Sequence, residues 1–172
     1  MAKETKETKE TGSRKLLRSK TSIAEILDVA IQFEKTAHEF YTNLIPNVSK
    51  NLRYLVEELA QEEQEHFRLF SELRANPEIE KQLSTMVPTP PSNTRFSLAI
   101  HAKDLGESPD DQTILQYAMA REHAAMEQYG SLAEEVEAGP LRELFTYLSL
   151  EEAEHRAELE KLYYEIVHSG GV

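Results

Sequence analysis

The sequence predicts an all-α protein, a four-helix bundle made of two duplicated helical hairpins joined by a long crossover. Three observations carry this. Apolar residues recur with helical period in four long segments, no segment shows the period-two alternation of a half-buried strand, and the first two long segments match the last two at a nearly constant offset. No sheet is expected.

The first helix is expected to begin at Ser22, which with Glu25 three places on forms a capping box, and to run to Leu44 ahead of Pro46. A second runs from Lys50 to Arg74 and is closed by Asn76-Pro77. Pro88, Pro90 and Pro91 then mark the long crossover, with a short helix around Phe96 to Lys103. Ser108 followed by Pro109 reads as an N-cap with proline in the first turn, so a third helix is expected from Pro109 to Glu137, ended by Gly139-Pro140. The fourth continues to about Val167, before Gly170-Gly171.

A chain of 172 residues is about one domain and can bury roughly 70% of its unfolded surface. We divide it into a charged leader (1–21), the helical domain (22–168) and a short tail (169–172). The leader repeats Lys-Glu-Thr three times, a polar pattern with no face to bury. Cysteine is absent, which excludes thiol catalysis, disulfides, iron–sulfur clusters and thiolate-bound zinc. Apolar runs are too short for a membrane span or a secretory signal, so a cytoplasmic protein with no membrane partner is expected. Net charge is −12, divided as +4 over residues 1–20 and −16 over the remainder. So acidic a body repels phosphate backbones, and no nucleic-acid partner is expected.

Each apolar seam is broken in its middle by charge. On the first helix the seam reads Ile23, Ile26 or Leu27, Ala30, Glu34, Ala37, Tyr41, Leu44; on the third, Ile114 or Leu115, Ala118, Glu122, Ala125, Tyr129, Leu132. The second and fourth carry Glu-x-x-His instead: Glu63 with His66 among leucines, and Glu152 with His155. Residues three apart share a helix face, so each Glu and His can converge on one point. A shift of 88 superposes Glu34 and Tyr41 on Glu122 and Tyr129, while a shift of 89 superposes Glu62, Glu63, Glu65 and His66 on Glu151, Glu152, Glu154 and His155. Packed about a pseudo-twofold axis, the copies bring Glu34, Glu63, His66, Glu122, Glu152 and His155 around one centre.

Four seam carboxylates without compensation cost several kcal/mol each in lost hydration. Two divalent cations cancel their charge, and two neutral imidazoles complete the donor set. Oxygen and imidazole ligands without thiolate suit two iron ions or manganese, with zinc or cobalt as adventitious occupants. A third Glu-x-x-His, Glu165 with His168, has Asn76 and Ile79 as its repeat mates and is read as surface. The bland alternative is a loosely packed bundle whose seam glutamates snorkel outward.

The motif of Glu followed by Glu-x-x-His, twice over, resembles the ferritin-like di-iron carboxylate superfamily and, within it, the rubrerythrin-like group without a rubredoxin domain, across residues 22–167. The resemblance implies a ferritin-like bundle and a di-iron oxidoreductase of peroxidase or ferroxidase type, acting on peroxide or dioxygen. A ferroxidase or iron-storage protein, a di-manganese catalase and a non-enzymatic helical interaction module are the alternatives. It also implies that Tyr41 and Tyr129 lie near the metals and hydrogen-bond their ligands, and that the chain forms a homodimer or larger homo-oligomer. Rubrerythrins carry a second carboxylate one turn past the third-helix ligand, where this chain has Ala125. With no cysteine, electrons are expected from a separate donor protein or from ferrous iron itself. Glu62, Glu65, Glu151 and Glu154 flank Glu63, His66, Glu152 and His155, where one of each pair could orient an imidazole across the bundle, but they are read as the solvated face; His38, His101 and His123 are read as surface or core-edge residues.

Overall fold

The computed structural model describes residues 20–101 and 104–169. The chain runs β1 (Lys20–Ser22), α1 (Ile23–Leu44), α2 (Lys50–Ala75), a single 3-10 turn, α3 (Glu80–Leu83), β2 (Met86–Pro88), α4 (Asn93–Leu98), α5 (Asp111–Glu135) and α6 (Pro140–Ser169). The four long helices are those expected. Among the described residues none is long and apolar enough to cross a membrane.

The local signals act largely as their chemistry dictates. Ser22 Oγ accepts from Glu25 N at 3.2 Å while Ser22 N donates to Glu25 Oε2 at 3.4 Å, which closes the capping box. The start of α5 differs from expectation. Asp110, not Ser108, is the N-cap, its carboxylate accepting from Thr113 N at 2.7 Å. An ionised cap also complements the helix dipole, which a serine two residues earlier does not. The crossover helix lies at Asn93–Leu98 rather than around Phe96 to Lys103, of which residues 102 and 103 are outside the described set.

The expectation of no sheet is corrected by one two-stranded antiparallel ribbon, in which Lys20, Thr21 and Ser22 pair with Pro88, Val87 and Met86. Three residues per strand are too few for any period to register in sequence. The pairing is decided by where the crossover passes, and Val87 is buried there. The last leader residues, Lys20 and Thr21, therefore belong to the ribbon, while residues 1–19 lie outside the described set.

Two apolar clusters fill the bundle. One joins the first half of α1 (Ile23 to Phe33) to Phe70 of α2, Ala125, Tyr129 and Leu132 of α5, and Leu141, Phe145 and Leu148 of α6. The other joins the second half of α1 (Ala37 to Leu44) to Leu52 through Ala60 of α2, Ile114 through Ala118 of α5, and Leu159 of α6. This membership fixes direction: α1 and α6 run one way, α2 and α5 the other. Since α2 ends where α5 must finish, the connection has to return along a helix of 26 residues, about 39 Å, which no tight turn can do.

The crossover is anchored rather than draped. Phe96 is fully buried and stacks on Phe33 with centroids 4.4 Å apart, and Ser92 and Asn93 bond the buried Gln128 amide at 2.8 and 2.9 Å. Phe96→Ala is therefore expected to lower the unfolding free energy by about 3 to 5 kcal/mol, measured by denaturant titration. A loss within 0.5 kcal/mol would mean that the crossover does not support the bundle.

Candidate metal centre

Between the two apolar clusters every long helix contributes charge. Glu34, Glu63, His66, Glu122, Glu152 and His155 are all buried, none more than 6% exposed, in a single polar layer. They form two overlapping groups, Glu34, Glu63, His66 and Glu152 in one and Glu63, Glu122, Glu152 and His155 in the other, with ligand atoms within 4.8 Å of one another. Glu63 and Glu152 belong to both. Each group thus offers one helix-specific Glu, one His and two shared carboxylates.

The donor atoms lack partners of their own. Glu34 Oε2, both carboxylate oxygens of Glu63 and of Glu152, and Nδ1 of both histidines are buried without an aligned hydrogen bond. His66 Nδ1 lies 3.1 Å from Glu152, 3.5 Å from Glu63 and 3.7 Å from Glu34; His155 Nδ1 lies 3.4 Å from Glu152, 3.6 Å from Glu122 and 3.9 Å from Glu63. Buried polar groups ordinarily find partners, and seven orphans aimed at one centre fit a pair of cations far better than they fit one another.

Burial and the crowding of like charges set the electrostatics of the layer. Burial works to raise Glu63 and Glu152, and neighbouring carboxylates add to it, lifting Glu63 well above the usual range and Glu152 to about 8. Burial also opposes charge on the histidines, but adjacent carboxylates win, so His155 is pushed up to about 12 and His66 is raised likewise. Burial likewise opposes ionisation of Glu34 and Glu122, yet hydrogen bonds from neighbouring groups prevail, lowering Glu34 and bringing Glu122 to about 2. The two histidines and the two shared carboxylates are thus held toward their protonated forms, and Glu34 and Glu122 toward their ionised ones.

The tyrosines meet the layer in crossed fashion. The Tyr41 hydroxyl donates to Glu122, and the Tyr129 hydroxyl to Glu34. Each is seven residues beyond the seam Glu of its own helix and reaches across to the Glu of the other, antiparallel helix. Burial first, then the nearby carboxylates, push both phenols well above their ordinary value, so they remain protonated donors.

Two residues read as solvated in the sequence take part. His66 Nε2 donates to Glu151 at 2.8 Å, and His155 Nε2 lies 2.5 Å from Glu62. Each imidazole is held by the opposite hairpin, which places a proton on Nε2 and turns Nδ1 toward the centre. The repeat contained the signal, since Glu62 and Glu151 are equivalent at offset 89, but four such glutamates flank the ligands and only packing selects two. Buried Arg121 was also missed; its guanidinium lies 4.8 Å from the Phe33 ring centroid. The remaining readings agree with the structure: Glu165, His168 and His101 are exposed, and His38 and His123 sit at the core edge.

A family model described as the ferritin-like domain matches residues 22–165. The chain belongs to the ferritin-like domain family. That span contains all four long helices apart from the last residues of α6, and every residue of the buried layer. Comparison with curated proteins and with solved structures returns no match. For a ferritin-like domain the layer's place is explicable: the duplicated hairpins meet there, and only there do all four seams present charge at one height.

Proposed function

We propose that this ferritin-like protein is a rubrerythrin-type, non-haem di-iron oxidoreductase that reduces peroxide or dioxygen. The observation that carries the reading is the set of seven orphaned donor atoms in a layer no more than 6% exposed. Glu34, Glu63, His66 and Glu152 would hold one ion, and Glu63, Glu122, Glu152 and His155 the other. Four protein residues per ion would leave coordination positions for a small oxidant such as peroxide or dioxygen, and so buried a centre excludes an organic substrate. Two ferrous ions supply one electron each, together with two protons enough to convert hydrogen peroxide to two waters. The chain's part is to fix its donors beforehand: Glu62 and Glu151 hold the imidazoles, while Tyr41 and Tyr129 hold the carboxylates of Glu122 and Glu34 and stay protonated beside the reacting space. Reducing equivalents would come from a separate donor protein.

The acidic body favours a second reading, a ferroxidase for which ferrous iron is substrate, because it concentrates cations around the bundle. Metal analysis of anaerobically purified protein, followed by single-turnover oxidation, separates the two. Two irons per chain, oxidised faster by peroxide than by oxygen, support the first; uptake of many irons per chain supports the second.

Ala125 bears on oxidant choice. It is fully buried, one turn from Glu122, where rubrerythrins have a carboxylate. Ala125→Glu is expected to cost about 1 to 3 kcal/mol through overpacking and to raise peroxide reactivity relative to oxygen reactivity, measured by rapid mixing of the diferrous variant with each oxidant. An unchanged ratio in a variant retaining two irons would remove Ala125 as the determinant.

A further inference from the structure

We propose that the two metal positions, though built from the same ligand types by a duplicated hairpin, are inequivalent: the position at Glu34 and His66 binds a divalent cation more tightly and fills before the position at Glu122 and His155. The inference rests on the two-metal reading above. It comes from residues just outside the ligands, where the duplication has broken down.

The first break concerns the glutamates that hold the imidazoles. Glu151, which accepts from His66, also accepts at its other oxygen from the Tyr147 hydroxyl one turn earlier on α6. Tyr147, Glu151 and His66 therefore form a hydrogen-bonded chain from the bundle surface to the centre, with Glu151 fixed at both oxygens. At offset 89 the counterpart of Tyr147 is Glu58. One turn before Glu62, it offers a like charge in place of a donor, and that charge bears on Glu62. His66 is held by a clamped carboxylate, His155 by one pushed from behind.

The second break is Arg121. At offset 88 its counterpart is Phe33, so one half of the repeat carries a buried cation where the other carries a neutral ring. The guanidinium donates to the Ala99 carbonyl, to the Tyr117 hydroxyl at 3.3 Å and to the Phe33 carbonyl at 3.4 Å, and among the described residues no carboxylate pairs with it. Its charge reaches Tyr41, the phenol that holds Glu122. Its guanidinium also lies against Phe33, the residue before Glu34, so its charge touches both halves and the clamp on Glu151 is what decides between the positions.

Hydrogen-bond partners outside a metal's ligands are worth about 10- to 100-fold in affinity, so the difference between a clamped and an unclamped partner sets an expected separation of about tenfold. The test is titration of the full-length apo-protein with Mn2+ by anaerobic calorimetry, with anomalous diffraction from crystals holding one equivalent to locate the first ion. Two binding constants about tenfold apart, with the first ion beside His66, are expected. Tyr147→Phe should weaken the tighter constant alone, and Glu58→Tyr, which offers Glu62 the missing donor, should tighten the weaker one; thermal melting of both apo-variants checks that the fold is intact. Two ions bound with equal constants, or a first ion beside His155, overturns the inequivalence and leaves the two-metal reading standing. Failure to bind two ions overturns both.

Discussion

Glu63→Ala is expected to abolish loading of both metal ions, whereas Glu34→Ala should leave one position able to bind. The difference follows from sharing: Glu63 supplies a carboxylate to both groups of donors, Glu34 to one. Its removal should exceed the roughly 10- to 100-fold loss typical of an outer hydrogen-bond partner, because a direct ligand is lost to each ion. Glu152→Ala should match it, and the exposed Glu165→Ala should change nothing. Metal content after anaerobic reconstitution is the primary measurement. Melting of the apo-variants distinguishes ligand loss from misfolding, since both carboxylate oxygens of Glu63 and of Glu152 are buried without a hydrogen-bond partner and their deletion removes no hydrogen bond from the bundle. Equal metal loss in the Glu63, Glu34 and Glu165 variants would defeat the assignment of Glu63 as a shared ligand.

Metal binding should expel several protons per chain at pH 7, and for each proton expelled the product of the two affinities should rise about 10-fold per pH unit. The protons are those of His66, His155, Glu63 and Glu152, every one of which is raised by its surroundings. A group with a raised value keeps its proton to higher pH and must lose it before it can ligate, so affinity climbs with pH. Stability of the apo-protein runs the other way. Raised carboxyls contribute stability that is complete below about 4.5 and is lost as pH rises, for Glu152 up to about 8; the histidines contribute below about 6.5 and lose it on the way to about 12 for His155. Glu34 and Glu122 have lowered values, and their contribution is present above about 4.5 and fades in stronger acid. The apo-protein should therefore melt lower at pH 8.5 than at pH 5.5, and the rise in melting temperature on adding Mn2+ should be larger at pH 8.5. Proton release measured with an indicator in weakly buffered solution checks the count. Release of fewer than two protons, or an apo-protein that melts higher in alkali, would show that the centre does not store protons in place of metal.

The sequence by itself determined the four helices, the duplication and the six residues of the buried layer. Helical periodicity, Glu-x-x-His spacing and a near-constant offset are properties of one helix or of two compared, and need no knowledge of how helices pack. The capping box at Ser22 belongs to the same class, being closed within four residues. What crosses between helices was not legible. That Tyr41 serves Glu122 and Tyr129 serves Glu34 depends on α1 and α5 running antiparallel. That Glu62 and Glu151, rather than Glu65 and Glu154, hold the imidazoles depends on the rotation of α2 against α6. The ribbon of Lys20–Ser22 with Met86–Pro88 depends on the path of the crossover, and three residues carry no periodicity to betray it. Arg121 would read as a surface charge one residue from a seam glutamate, and only the stacking of Phe33, Phe40 and Tyr117 around its guanidinium makes it an interior cation. Spacing along a helix fixes which residues share a face; the direction, rotation and height at which another helix meets that face are set by packing the whole core, and the partners of each ligand follow from those three quantities.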